Sequence, residues 1–153
     1  MKLSKIYANK PELFGPIDFS DGLNVILGEI RLPENRKRDT HNLGKTTLGR
    51  LVDFCLLAKK DKDLFLVKEH EKFQGFVFYI EIKLLDDSYL TLKRSVDDAT
   101  KISFKKSKVA RQDYTYLPDS QWDHVDLPFD RAKEMLEGLL DLVAIKPWSY
   151  RIA

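Results

Sequence analysis

The chain of 153 residues contains one cysteine, Cys55, so it cannot close an internal disulfide. This excludes a disulfide scaffold and predicts a reducing, cytoplasmic location. No apolar run approaches the roughly 18 residues that a transmembrane helix requires, so we expect no membrane partner. The first residues also lack the apolar stretch of a secretory signal.

The chain also has little excess of one charge over the other. Lysine and arginine number 26, and aspartate and glutamate number 24, which leaves a net charge of +2. Bulk charge therefore argues neither for nor against a nucleic-acid partner. Apolar residues at 43% and charged residues at 33% are the proportions of a globular domain, which excludes collagen-like and low-complexity chains. The length predicts one domain over residues 1–153.

Metal ligands do not cluster along the sequence. His41, His70 and His124 are scattered, and the spacing of a zinc site is absent. Cys55 falls on the apolar stripe of a predicted helix, which favours packing over a role as a nucleophile.

The spacing of apolar residues predicts the order of elements. Short strands are predicted over 3–8 and 17–19, and the run LNVIL at 23–27 is typical of a strand buried on both faces. A well-buried helix is predicted from Gly44 onward, with Lys59 and Lys60 at its C-terminal end. Alternation on both sides of Asp86-Asp87 predicts a hairpin over 76–96. A further strand at 102–104 and a helix over 129–143 complete the prediction.

The sequence that carries chemistry is Leu43-Gly44-Lys45-Thr46-Thr47, which is the second half of a Walker A phosphate loop. Gly44 lets backbone N–H groups turn towards phosphate oxygens, and the helix after it points its positive end at them. Lys45 would reach the β- and γ-phosphates. Thr46 offers a hydroxyl ligand to Mg²⁺, and Thr47 can donate to the α-phosphate.

The first half of this motif departs from the pattern. Five positions before Gly44, where the motif has a glycine, the chain has Asp39. The nearest earlier glycine is Gly28, sixteen positions before Gly44. Either Gly28 starts a stretched loop, or the loop is built without that glycine.

The order of a short strand, FGPIDFSDGLNVILG, a loop and NLGKTTL resembles the N-terminal lobe of SMC-, RecF- and RecN-type ABC ATPase heads. The resemblance covers Lys2 to about Leu57 and extends loosely through the predicted hairpin. It implies an α/β fold, with a P-loop NTPase core of mixed sheet and an antiparallel hairpin layer. It also implies ATP and Mg²⁺ as cofactors. The implied nucleotide-binding residues are Gly28, Asn42 (or His41 beside it), Leu43, Gly44, Lys45, Thr46 and Thr47, with Thr46 on the metal.

Several parts of such a head are missing from the sequence. A glutamine loop, an LSGG-like signature, a Walker B motif and a switch histidine are not found, and residues 82–87 fit the turn of a hairpin better than a Walker B strand. In the family these parts follow a long coiled coil. We therefore expect a first lobe only, whose apolar ending WSYRIA falls where the family chain runs on. Alone, it would bind nucleotide weakly and turn over little.

The resemblance also implies partners and pathways. The partners are the C-terminal lobe of the same head, a second head and DNA. The pathways are DNA repair, chromosome maintenance or phage defence. The alternative is a non-catalytic module that binds DNA or a partner, with a degenerate nucleotide site. The basic run at 101–111 could contact a DNA backbone, or it could be a solvated edge strand. The basic residues of the loop 29–42 could clamp phosphate, bind a partner or nucleic acid, or belong to a solvated loop: Arg31, Arg36, Lys37 and Arg38. A small P-loop kinase is disfavoured by the predicted hairpin.

Overall fold

The computed structural model of the chain describes residues 1–27 and 44–141. Each predicted element except 23–27 is present, with shifted bounds, and the ambiguous stretch before the hairpin forms two short helices. In chain order the elements are β1 (Lys2–Ala8), β2 (Ile17–Asp18), α1 (Lys45–Cys55), α2 (Phe65–Lys68), α3 (His70–Phe73), β3 (Val77–Lys83), β4 (Tyr89–Ser95), β5 (Lys101–Ser107), β6 (His124–Pro128) and α4 (Phe129–Leu139).

The strands form one sheet in the order β2-β1-β3-β4-β5-β6, and every neighbouring pair is antiparallel. The predicted α/β fold with a P-loop NTPase core is therefore wrong, because such a core is built on parallel strands. The connections give the physical reason. The turns from β3 to β4 and from β4 to β5 are too short for the crossover of a dozen or more residues that parallel neighbours require.

The predicted buried strand at 23–27 is also wrong. This segment joins no sheet, and four of its side chains face solvent: Leu23 is 88% exposed, Val25 68%, Ile26 51% and Leu27 83%. Apolar β-forming residues make a buried strand only when neighbouring strands cover them. No element among the described residues covers these four.

A turn stabilised by one side chain precedes this exposed run. The Asn24 carboxamide accepts a hydrogen bond from the Ser20 backbone N–H at 2.7 Å and donates one to the Ser20 carbonyl at 2.9 Å. The side-chain amide thus pairs with both backbone groups of Ser20, as a residue on a neighbouring strand does. The Asp21 carboxylate also lies 3.5 Å from the Lys83 ammonium at the end of β3.

The hydrophobic core lies on one face of the sheet, beneath α1 and α4. Alternate residues of the central strands point into it, so that Ile80, Leu92 and Ile102 are fully or almost fully buried. From α1 the buried residues are Leu51, Phe54 and Cys55, and from α4 they are Ala132 and Leu136. The predicted helix at 44 is thus confirmed, although burial is confined to its C-terminal half.

The C-terminal end of α1 is closed by backbone bonds and by a buried arginine of β4. The Leu57 N–H donates to the Phe54 carbonyl and the Ala58 N–H to the Asp53 carbonyl, the pairing of a Schellman motif. The Arg94 guanidinium, 2% exposed, donates to the carbonyls of Phe54 and Ala58. Lys59 and Lys60 were predicted to support this end, but they lie beyond it because α1 stops at Cys55.

The opposite face of the sheet is covered by the segment 108–123, which runs from β5 back to β6. Its aromatic residues Tyr114 and Trp122 pack on Tyr7 and Tyr79, whose rings stack at 4.7 Å between centroids. The Tyr7 hydroxyl accepts a hydrogen bond from the Tyr114 backbone N–H. This segment returns the chain to a sixth strand that the sequence analysis did not predict.

The basic run on β5 is matched by acidic residues elsewhere on the sheet. Lys105 lies 3.2 Å from Asp123 and Lys106 lies 2.8 Å from Asp86, while Lys101 pairs with Asp98. The strand is flanked by β4 and β6, so the interpretation of this run as an edge strand is wrong.

The strand β6 forms one edge of the described sheet, and its backbone is irregular. Asp126 has φ 50°, in the left-handed region, and its N–H donates to the Ser103 hydroxyl. Pro128 ends the strand without a backbone donor. Such features interrupt regular pairing along an edge.

Within the described ranges, the longest helices have 11 residues, and none is long and apolar enough to cross a bilayer.

The exposure of residues 23–27 can be tested by mutation. Val25→Ser and Ile26→Ser should each change the free energy of unfolding by less than about 0.5 kcal/mol, because exposed side chains contribute little to the folded state. Ile80→Ala, at a fully buried position, should cost about 2–5 kcal/mol in the same denaturant titration. A loss of about 2 kcal/mol in either serine variant would show that the run is buried after all.

The contacts of Asp123 with Lys105 and Lys106 should make the stability of the fold depend on pH. Partial burial acts to raise the pKa of Asp123, but the Lys106 N–H and the Lys105 ammonium outweigh it, so the pKa lies below its usual range. The ionised carboxylate therefore stabilises the fold above the unfolded pKa of about 3.9 and stops doing so as pH falls through the folded value.

Asp123→Asn should accordingly lower stability at pH 7 by at most about 1 kcal/mol, because this aspartate is partly exposed. The difference from the unmodified protein should shrink in thermal unfolding below about pH 3. Asp18→Asn, at an exposed position of β2, serves as the control. An Asp123→Asn deficit that stays constant from pH 7 to pH 2 would contradict the role of the carboxylate.

Candidate functional site

The candidate phosphate-binding residues lie at the start of α1. Gly44 is the N-cap residue, with φ 81° and ψ 1°. This left-handed conformation is open to glycine at little cost but strained for residues with a Cβ. The turn into the helix thus requires the glycine of the GKTT sequence for its backbone, whether or not a phosphate is present.

The N-terminus of α1 is exposed, and no side chain of the described residues caps its backbone donors. Its first turn contains no acidic residue. Gly44, Lys45, Thr46 and Thr47 are all exposed. The first N–H groups of a helix have no partner within the helix, and the helix dipole makes them an electropositive site. The geometry therefore suits an anion.

Lys45 adds a full positive charge beside these donors. Among the described residues, none forms a hydrogen bond or an ion pair with the Lys45 ammonium. Two lysines of the helices that follow differ in this respect, since Lys68 lies 3.1 Å from Asp63 and Lys72 lies 2.6 Å from Glu69. An exposed lysine that pairs with none of the described residues is available to an external anion.

A largely apolar cavity of about 420 Å³ opens beside the start of α1. Gly44 and Thr47 form part of its wall. Five phenylalanines also line it: Phe14, Phe65, Phe73, Phe76 and Phe78. The position next to exposed backbone donors gives one end of the site a polar, cationic character and the other an aromatic one. A ligand with an anionic group and a flat apolar group would match both ends.

The helices α2 and α3 form one side of this cavity and are held in place by polar contacts. The Arg50 guanidinium of α1 donates to the Asp63 carbonyl at 3.1 Å. At the other end of the pair, the Asp97 carboxylate accepts a hydrogen bond from the Gly75 N–H and lies 3.3 Å from His70. Phe65 and Phe73 meet edge to face at 5.3 Å. The aromatic wall is therefore a fixed part of the lobe.

The remaining predicted nucleotide-binding residues, Gly28, Asn42 and Leu43, lie outside the described residues, as do His41 and the basic loop 29–42. The structure thus brings Gly44, Lys45, Thr46 and Thr47 together at one helix end. Thr46, the one residue predicted as a Mg²⁺ ligand, is at this helix end. No group of three or more histidine, cysteine, aspartate or glutamate side chains suited to a metal occurs within 1–27 and 44–141.

Two other candidate sites, Asp86-Asp87 and Cys55, have structural roles. Asp86 and Asp87 lie in the turn between β3 and β4, as the hairpin prediction required, so they do not end a Walker B strand. Cys55 is buried, and burial raises the pKa of its thiol to about 12, although the nearby Arg94 acts in the opposite direction. A thiol with such a pKa is protonated at neutral pH and is a poor nucleophile.

Two features were not predicted from the sequence, the phenylalanine-lined cavity and the buried Arg94. The phenylalanines come from four separate segments, so no local pattern joins them. For Arg94 a signal existed, because it follows Leu90 and Leu92 at the same parity of an alternating strand. A charged residue at a core-facing position indicates a buried, hydrogen-bonded group.

No protein-family model and no curated protein matches the chain. The resemblance to ABC ATPase heads therefore depends on the residues quoted above alone.

Two glycines of the same helix provide a matched test of the geometry at its start. Gly44→Ala should destabilise the fold by about 1 kcal/mol, because alanine is strained in the left-handed region. Gly49→Ala should stabilise it by about 0.5–1 kcal/mol, because Gly49 is inside the helix and a Cβ there meets open space. Chemical denaturation measures both. Equal effects of the two substitutions would contradict the left-handed N-cap.

Proposed function

We propose that the chain binds the phosphate groups of Mg²⁺-ATP at the start of α1, and that it does so as one lobe of a larger ATPase related to SMC- and RecN-type heads. The supporting observation is the helix start at Gly44. It combines uncapped and exposed backbone donors, a lysine that makes no ion pair with the described residues, and two hydroxyl side chains. Helix N-termini of this kind are general binding sites for phosphate.

The roles of the side chains follow from their chemistry. Lys45 is a mobile point charge for the β- and γ-phosphates. The Thr46 hydroxyl is a hard oxygen ligand, of the type that Mg²⁺ prefers, and the nucleotide itself would supply further oxygens. Thr47 lies at the boundary between the helix end and the aromatic cavity, where it can donate to the α-phosphate.

A second lobe is the partner that we propose for the exposed run at 23–27. Four large apolar side chains within five residues face solvent there, directly after a turn fixed by Asn24. Exposed apolar patches of this kind mark interaction sites. In the proposed arrangement the C-terminal lobe of the head covers this run, and a second head completes the nucleotide site. The assembly would act in the cytoplasm.

The lobe by itself is proposed to bind nucleotide without hydrolysing it efficiently. Hydrolysis of ATP requires a group that orients the attacking water and groups that stabilise charge on the transferred phosphoryl. The start of α1 offers donors and one lysine, and the sequence contains no convincing Walker B or signature motif. ATP hydrolysis would accordingly belong to the complete assembly.

The alternative, a module that binds DNA through the basic run, has less support. Lys101, Lys105 and Lys106 each lie within 3.2 Å of a carboxylate oxygen. A DNA backbone would have to compete with these ion pairs. The exposed run at 23–27, in contrast, favours a protein partner.

The proposal predicts that Lys45→Ala abolishes binding of a fluorescent ATP analogue in the presence of Mg²⁺, because the largest positive charge at the site is lost. Lys59→Ala, which removes an exposed lysine close after the other end of α1, should leave the dissociation constant within twofold of the unmodified value. Equilibrium titration by fluorescence anisotropy measures both variants.

The same titration separates the proposals. Unchanged binding by Lys45→Ala would contradict the phosphate site. Thr46→Val should retain binding without Mg²⁺ and lose the enhancement that Mg²⁺ gives, because valine keeps the shape of the side chain and removes the hydroxyl. Binding of DNA that weakens with salt and ignores both ATP and Lys45→Ala would favour the alternative.

A further inference from the structure

We infer that Arg94 is a positioning residue for the proposed phosphate site: it fixes the orientation of α1 from the C-terminal end and so places Gly44–Thr47. This inference rests on the proposed function for its meaning in ligand binding, and it makes a separate claim about the helix itself. Arg94 lies on β4, far along α1 from the phosphate-binding residues, and would act through the helix alone.

The first observation is that, among the described residues, the buried contacts of α1 lie in its C-terminal half. Residues 44–47, 49 and 50 are exposed, and Leu48 is half-buried. The buried side chains Leu51, Phe54 and Cys55 all belong to the C-terminal half. From Phe54 back to Lys45 the helix extends about 13 Å, at a rise of about 1.5 Å per residue. A tilt of about 5° at the anchored end therefore moves the free end by about 1 Å.

The second observation is the number of elements that Arg94 joins. Its Nη1 donates to the Phe54 carbonyl at 2.5 Å and to the Ala58 carbonyl at 3.1 Å, and its Nε donates to the Ala99 carbonyl at 2.8 Å. The guanidinium also lies over the Phe54 ring at 4.2 Å and 5.1 Å from the ring centroid of Phe129, the first residue of α4. One side chain thus connects the end of α1 to β4, to the turn before β5, and to α4.

The third observation is strain at the point that Arg94 bridges. Leu57 has φ 64°, a left-handed conformation that costs a residue with a side chain about 1–2 kcal/mol. Glycine usually occupies this position of a Schellman motif. The carbonyls that Arg94 binds lie on both sides of Leu57, and the Leu57 side chain is itself buried. The guanidinium therefore holds the strained turn closed and keeps α1 in one orientation.

The test compares Arg94→Met and Arg94→Lys with a variant that lowers stability elsewhere. Methionine keeps an apolar stem and loses all donors, whereas lysine keeps the charge but cannot bond several carbonyls in a fixed fork. Ile6→Ala, at a fully buried position of β1, a strand that does not neighbour β4, is the control for lost stability. All titrations are made well below the unfolding midpoint of each variant, with the fluorescent ATP analogue and Mg²⁺.

We expect Arg94→Met to weaken binding about tenfold, the lower end of the range for residues that orient ligand-binding groups. Arg94→Lys should lie between this variant and the unmodified protein. Ile6→Ala should bind within twofold of the unmodified protein despite its lower unfolding midpoint. If both Arg94 variants bind as tightly as Ile6→Ala, the inference is overturned. Should the methionine variant fail to fold, the lysine variant decides between the outcomes.

A measurement without nucleotide keeps the two proposals distinguishable. Spin labels are placed at Gly49→Cys on α1 and Leu85→Cys in the turn between β3 and β4, both in a Cys55→Ala background. Arg94→Met should broaden the distribution of distances between the labels, and Ile6→Ala should not. An unchanged distribution rejects the role of Arg94 even if Lys45→Ala abolishes binding. A broadened distribution with normal binding by Lys45→Ala rejects the phosphate site and retains the control of helix orientation.

Discussion

The arrangement of the lobe depends on the contact between the Arg94 guanidinium and the end of α1. The sheet is assembled from strands that pair with one another, but α1 reaches it through a short buried face and through this one cationic side chain. Burying a guanidinium is costly unless its donors are used, and here they are used on the backbone carbonyls of Phe54, Ala58 and Ala99. The same contact therefore satisfies a buried charge and fixes the end of a helix.

The elements that the sequence predicted well are those whose signals are local. The hairpin of β3 and β4 follows from alternation around Asp86-Asp87, and the start of α1 follows from Gly44 before an apolar stripe. The direction of strand pairing is not local. Buried strands of parallel and antiparallel sheets contain the same apolar β-forming residues, so LNVIL could suggest a parallel core that the described residues do not form. The ion pair between Asp123 and Lys105 could not be predicted from the sequence either, because it depends on the pairing of β5 with β6.

The candidate site likewise contains residues that local sequence predicted and residues that only packing brings together. The sequence predicted the residues at the start of the helix, because they are consecutive and directly precede an apolar helical stripe: Lys45, Thr46 and Thr47. The phenylalanine-lined cavity was missed because it is assembled by packing from the β1–β2 connection, α2, α3 and β3. Arg94 was missed because an alternating pattern treats a charged residue as facing solvent. The carbonyls that it bonds, at Phe54, Ala58 and Ala99, come together only in the folded chain.

The two edges of the described sheet differ in how regular their edge strands are. At β6 the left-handed Asp126 and the missing donor of Pro128 interrupt the ladder, so a further strand would find no regular partner there. At the other edge β2 pairs with β1 through only two of its residues, and the chain then turns at Asn24 into exposed apolar sequence. The described sheet thus has one irregular edge, at β6, and one edge strand of only two residues, after which the exposed apolar run follows.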